Sequence, residues 1–161
     1  MSATEQNELL RGGQFLVKET ACEDVFTLED LSEEQKMMRD STKEFVDKEL
    51  WAHWERFEKK DYAFTEETMR KAGEMGLLGV AVPEQYGGLG MGFVSTMLVC
   101  DYISGATGSF STAFGAHTGI GTMPITLYGT EAQKQKYLPK LARGEWIGCF
   151  GLTEPNHGSD P

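Results

Sequence analysis

Only one stretch of this 161-residue chain reads as a β-strand, and it comes almost last. Residues 146–152, WIGCFGL, are a short apolar run bounded by glycine and by a polar turn. A lone strand cannot satisfy its own main-chain hydrogen bonds and needs sheet partners. No earlier segment offers a convincing one. The sequence therefore predicts an all-α chain that ends in the first strand of an incomplete β-domain.

The remainder has helical period. Ser32, Glu33, Glu34 and Gln35 form a capping box, and apolar residues follow at Met38, Phe45, Val46 and Trp51. This first helix is expected to run on through Trp54 and Phe57 to Lys59. Thr65 is expected to open a second helix, with Glu66 and Glu67 at its positive end and Gly76 as its stop. A third, over 93–104, is apolar on most sides and should be central. A fourth, over about 109–120, carries the small residues Ala113, Gly115, Ala116 and Gly119. A short piece holds 124–128. The last helix opens on a second capping box, Thr130 with Gln133, is tightened or kinked at Pro139 and ends by Gly144. Ahead of these lies a polar segment with an apolar hook, Phe15, Leu16 and Val17. The expected plan is an N-terminal arm over 1–30, a helical domain over 31–145, and a strand and turn over 146–161.

Composition narrows the function. Hydrophobic residues make up 40% and charged residues 25%, the balance of a folded globular protein. A net charge of −10 with no basic stripe repels nucleic-acid phosphates. The acidic cluster Glu23, Asp24, Glu29, Asp30, Glu33 and Glu34 reads as a solvated entry to a helix. Cys22, Cys100 and Cys149 are widely spaced without a CxxC and read as free thiols in a reducing compartment. His53, His117 and His157 lie far apart, so no metal is expected. No run of 18 apolar residues exists to span a membrane, and residues 1–12 lack a secretory pattern.

Three constellations bear on chemistry. LLGVAV followed by Gly87, Gly88, Gly90 and Gly92 invites a dinucleotide-binding reading. Pro83, Glu84, Gln85 and Tyr86 intervene and no second strand follows, so it reads as a turn whose glycines let the chain cross closely packed helices. Gly115, Gly119 and Gly121, on or beside a helix, each cost about 1 kcal/mol relative to alanine. A close helix–helix crossing and a groove left open for a long apolar ligand both account for that cost. His117 among them reads as a hydrogen-bonded core or groove-lining residue rather than a catalytic one. The third is GLTEPNHGSD, residues 151–160. Thr153 supplies a hydroxyl, Gly158 and Ser159 can present N–H groups and a hydroxyl to an anion, and Pro155 stiffens the turn. A phosphate or cofactor contact and an ordinary turn both fit it.

Three stretches then occur in a telling order: MGLLGVAVPEQYGGLGMG at 75–92, GTEAQKQKYLPKLARGEW at 129–146, and CFGLTEPNHGSD at 149–160. With them the chain resembles the acyl-CoA dehydrogenase family over roughly 30–161. Gly151, Leu152, Thr153, Glu154, Gly158, Ser159 and Asp160 fit that family's flavin signature, while His157 stands where a small residue or Asn is usual. The resemblance implies the N-terminal helical domain of a three-domain fold, followed by the first strand and turn of its β-domain. It implies FAD as cofactor, with Phe150, Gly151, Leu152 and Thr153 bordering the flavin ring. Glu154, Gly158 and Ser159 would lead towards the diphosphate, and Ser159 would also lie near the acyl-CoA.

The family reaction is α,β-dehydrogenation of an acyl-CoA thioester. A carboxylate takes the α-proton, the β-hydride passes to flavin N5, and hydrogen bonds to the thioester carbonyl hold the enolate-like charge. That carboxylate is a Glu of the C-terminal domain, so no catalytic residue is assigned here. Electrons usually pass to an electron-transferring flavoprotein, and members are usually homo-oligomers. The terminal motif resembles the glutaryl-CoA dehydrogenase version. That subgroup's carboxylate-holding arginine aligns with Ser111, however, and no Lys or Arg lies between Lys71 and Lys134. FGAHTGIG, residues 114–121, instead resembles very-long-chain members. A medium-to-long acyl chain over Gly115, Ala116 and Gly119 is expected, in a bacterial cytoplasm or a mitochondrial matrix. An acyl-CoA oxidase or flavin monooxygenase relative and a non-catalytic helical interaction module are the alternatives.

Overall fold

A computed structural model describes residue 10 and residues 12–160. The parts of the arm at 1–9 and 11, and the closing Pro161, lie outside the described residues. The chain forms two compact units, Met1–Lys36 and Met37–Pro161.

Ahead of the helix that begins at Glu33, the described residues of the first unit form single turns. Short 3-10 turns lie at Gly12–Leu16, Cys22–Asp24 and Leu28–Asp30. The acidic residues cap them: Asp24 accepts from the Ala21 N–H (3.3 Å) and Asp30 from the Thr27 N–H (2.8 Å). The hook residues Phe15, Leu16 and Val17 are exposed. The Ser32 box forms as the sequence predicts. Gln35 N–H donates to Ser32 Oγ at 3.2 Å, and Ser32 N–H donates to Gln35 Oε1 at 2.9 Å.

Helix α1 (Glu33–Phe45) passes into a wider π-turn, Val46–Leu50, then a 3-10 turn, Trp51–His53, and α2 (Trp54–Glu58). In the π-turn Trp51 N–H donates to the Val46 carbonyl, five residues back. The extra residue rotates the register. Leu50 is buried, whereas Trp51, expected on the apolar face, is half exposed together with Trp54. Helix α3 (Tyr62–Glu74) starts three residues before the expected Thr65. Asp61 is the stronger acceptor and caps the Phe64 N–H at 3.1 Å, while Thr65 donates to the Asp61 carbonyl at 3.0 Å.

LLGVAV forms no strand. A 3-10 turn spans Leu77–Gly79, and the chain then folds back on itself. Leu89 N–H donates to the Gly79 carbonyl and Met91 N–H to that of Val80, at 2.9 and 2.8 Å. A Cβ at Gly88 would stand 2.0 Å from the Val82 carbonyl oxygen, so only glycine fits there. Four further helices follow: α4 (Phe93–Ser104), α5 (Gly108–Gly115), α6 (Met123–Tyr128) and α7 (Glu131–Ala142), with a π-helical segment, Ala116–Thr122, between α5 and α6. α7 starts on the predicted Thr130–Gln133 box and carries Pro139 inside it.

The main core is aromatic. Phe57 lies 5.2 Å from Phe64 and 5.4 Å from Phe110, ring centre to ring centre, with Leu50, Met69, Leu77 and Ile103 around them. Each such buried side chain contributes about 1.5–3 kcal/mol. A smaller cluster of Val82, Tyr86, Leu138 and Leu141 is tied by the Tyr86 hydroxyl, which donates to Glu131 at 2.8 Å. α4 is not central as expected. Leu98, Val99 and Ile103 face the core, but Phe93 is 76% exposed and Val94 and Met97 are exposed too.

Among the described residues there is no strand. The segment expected at 146–152 runs without a ladder, because no sheet edge is present to pair with it. Beyond it only Glu154 and His157 pair, through main-chain bonds of 3.0 and 3.1 Å. Among the described residues no helix is long and apolar enough to cross a membrane.

Candidate functional site

The small-residue run after α5 does not continue as an α-helix. It widens into the π-helical segment Ala116–Thr122. Two hydroxyls serve the carbonyls that this geometry leaves: Thr118 Oγ1 donates to Phe114 at 2.9 Å, and buried Thr122 Oγ1 donates to His117 at 2.7 Å. π-Segments within helical runs frequently occur at functional sites. This one has two differently used faces.

One face floors an apolar cavity of about 360 Å³. Its walls come from the 77–82 turn, from Phe93, Met97 and Cys100 of α4, and from Gly115, Thr118 and Gly119. A Cβ at Gly115 or Gly119 would meet no atom within 4 Å, so both glycines border open space. The lining carries no Lys, Arg, Asp or Glu. Burial pushes the Cys100 thiol above its ordinary value and keeps it a neutral part of the wall. Ala116, expected beside the two glycines, is not among the lining residues. Ser111 is not either, and its hydroxyl donates to the Gly108 carbonyl at 3.2 Å.

The other face holds the chain that follows α7. His117 is 0% exposed. Its Nε2 lies 3.1 Å from the Leu141 carbonyl, and its Nδ1 lies 2.9 Å from the Gly148 amide nitrogen. A carbonyl can only accept and an amide can only donate, so the ring is neutral with its proton on Nε2. Burial pushes its pKa below the ordinary value, opposed in part by the bond to Leu141. Beside it, a Cβ at Gly121 would stand 2.7 Å from the Gly148 carbonyl carbon. The two readings left open by the glycines thus divide between residues. Gly115 and Gly119 open a groove, and Gly121 makes a close crossing.

Past Gly148 the chain is exposed. Phe150 and Leu152 are 56% and 50% exposed, and Gly151, Thr153, Glu154, Gly158 and Ser159 are exposed as well. Among the described residues no main-chain partner takes the N–H groups of 150–153. A narrow turn follows, closed by the Glu154–His157 pair, and His157 Nδ1 lies 3.1 Å from the Asp160 carbonyl. An apolar strip with free donors, then Gly158 and the Ser159 hydroxyl, can accept a flat ring with polar edges and an adjoining anion. Neither Ser159 nor the rest of the turn lines the 360 Å³ cavity.

Sequence reasoning missed the wall contributed by 77–82 and by α4, and it missed Gly148. The signal for the wall was present: LLGVAV is too apolar for a solvated loop yet too short for a buried helix. Nothing local marks Gly148.

Comparison with known proteins agrees with the helical fold. Residues 32–145 match the family described as acyl-CoA dehydrogenase, N-terminal domain. A probable acyl-CoA dehydrogenase of Bacillus subtilis (strain 168) is 42% identical over 153 residues, covering 95% of this chain and 26% of that protein. The crystal structure of acyl-CoA dehydrogenase complexed with FAD from Bacillus anthracis superposes with a TM-score of 0.83 at 46% identity, over 94% of this chain and 26% of that one. A structure described as the electron transferring flavoprotein of Acidaminococcus fermentans gives a TM-score of 0.74 at 36% identity, over 83% of this chain and 35% of that one. The chain thus spans about a quarter to a third of the length of these relatives. On its sequence, its helical fold and these matches, the chain belongs to the acyl-CoA dehydrogenase family.

Proposed function

We propose that this chain is the N-terminal part of an FAD-dependent acyl-CoA dehydrogenase acting on medium-to-long straight acyl chains. The observation that carries the reading is the uncharged cavity floored by Gly115 and Gly119. An apolar tail gains about 0.8 kcal/mol for each methylene it buries there, about fourfold in affinity. The lining offers no cation to a second carboxylate, which disfavours a dicarboxylyl thioester.

The exposed strip fits FAD by the chemistry of its donors. Phe150, Gly151, Leu152 and Thr153 would border the ring system, while Glu154, Gly158 and Ser159 would lead to the diphosphate. Ser159 would also approach the thioester end of the substrate. Bound FAD supplies the acceptor for the hydride leaving the β-carbon. This chain's own part is to hold the acyl tail in a dry wall and to keep water from the reacting carbons. The base that takes the α-proton is assigned to no residue here, so the chain by itself is expected to show no turnover. An electron-transferring flavoprotein is the proposed electron acceptor, homo-oligomerisation is expected of the full-length protein, and a bacterial cytoplasm or mitochondrial matrix is the proposed location. Residues 31–145 are taken as the helical domain and 146–161 as the entry to a β-domain.

The test uses the full-length protein carrying these residues. It should bind FAD and be bleached by long-chain acyl-CoA without rapid oxygen uptake, which an oxidase would show. Gly115→Leu should shift the kcat/KM profile to shorter chains. An unchanged profile would remove the groove from the reading.

A further inference from the structure

We propose that His117 is a positioning residue that sets where the flavin-facing turn leaves the helical domain, relative to the acyl cavity; this rests on the function proposed above. The π-helical segment carrying His117 also floors the cavity through Thr118 and Gly119, next to Gly115 at the end of α5. Its fully buried ring holds two main-chain groups from outside that segment, the Leu141 carbonyl at the end of α7 and the Gly148 N–H two residues before Phe150. Behind the ring, Gly121 and Gly148 meet backbone to backbone, too closely for a Cβ at Gly121. Upstream, the Glu145 and Trp146 N–H groups are fixed to the Lys140 carbonyl at 2.9 and 3.3 Å. Downstream, among the described residues, no main-chain bond is made until Glu154. Gly148 is therefore the last anchor before the turn, and the imidazole sets its distance from the cavity floor. An unclamped strip could slide or lift without disturbing the aromatic core.

The two ring nitrogens can be tested separately. Asparagine places an acceptor near Nδ1, and glutamine places a donor near Nε2. In the native chain, nitrogen-15 NMR should show a neutral Nε2–H ring and a coupling across the hydrogen bond from Gly148 N–H to Nδ1. A protonated ring, the other tautomer or an absent coupling would overturn the clamp without any substitution. His117→Asn should leave Gly148 amide exchange within a few-fold of wild type. His117→Gln should accelerate it at least about tenfold while Val99 and Ile103 stay protected. Equal acceleration in both variants would reduce His117 to core filling.

In the FAD-loaded full-length protein, His117→Gln should shift the flavin absorbance and potential and lower kcat at nearly constant KM, with His117→Asn close to wild type. A confirmed clamp with unmoved flavin signals would overturn the positioning role. A full-length wild type that takes up no FAD would instead sink the function proposed above, and the role with it, leaving the clamp measured in the isolated chain intact.

Discussion

Gly119 and Gly121 sit two residues apart on one π-helical segment and do opposite jobs. A Cβ on Gly119 would meet nothing within 4 Å, whereas one on Gly121 would stand 2.7 Å from the Gly148 backbone. Gly115 belongs with the first. Gly73 belongs with the second, since its Cβ would lie 2.3 Å from the Arg143 carbonyl oxygen where α3 meets the end of α7. The same residue type, bearing the same helix-propensity cost, is kept in one place by a void and in another by contact. A glycine's identity does not reveal its role; the neighbours of its absent Cβ do.

Within this comparison the largest effect should come from Gly73, whose contact is tighter than that of Gly121. Gly73→Ala pushes a methyl into backbone that cannot step aside, and it should cost about 3 kcal/mol in chemical denaturation. A loss below about 0.5 kcal/mol would mean that α3 and the α7 terminus are not held as described. Gly121→Ala meets the slightly looser Gly148 strip and should cost about 2 kcal/mol, with faster amide exchange at Gly148. If stability fell while Gly148 exchange stayed put, the crossing would not be what holds the strip.

A pH scan sharpens the same side of the comparison. Burial holds the His117 pKa below its ordinary 6.5, so the folded ring stays neutral while the unfolded ring takes a proton. The stability due to the neutral ring is full above the unfolded pKa. It is lost as pH falls from there towards the depressed folded value. The melting temperature of wild type minus that of His117→Asn should therefore shrink between about pH 7.5 and about pH 5.5. A difference that stays flat or grows would show the ring is not a buried neutral group.

The smallest effect has the opposite sign. Gly119→Ala adds a methyl to open space in a helical segment and should stabilise the chain by about 0.5 kcal/mol. In the full-length protein the same change should weaken the preference for the longest acyl chains. Destabilisation by more than about 1 kcal/mol would put Gly119 with Gly121 and erase the distinction.

Most helix starts were legible because caps are local. The Ser32–Gln35 and Thr130–Gln133 boxes each need only four residues, and both form. Where a local rule misled, a neighbouring residue competed. Asp61 captured the start assigned to Thr65, and the π-turn Val46–Leu50 rotated Trp51 outward. The cavity was half legible. Gly115 and Gly119 were singled out, but Ala116 does not line it and the α4 wall was missed, since α4 was read as a buried helix rather than one bordering a void.

By itself, the sequence determined an all-helical fold, a family resemblance, and a polar turn near the end. The fold follows from short-range rules: capping, 3.6-residue period and the lack of any partner for a lone strand; the family rests on the resemblance carried by the three ordered stretches at 75–92, 129–146 and 149–160. Tertiary structure alone decided which glycine faces a void, which nitrogen of His117 carries the proton, and that Gly148 is its partner. Each of those depends on atoms brought together from residues far apart in the chain, 31 residues in the case of His117 and Gly148, and no local pattern encodes them.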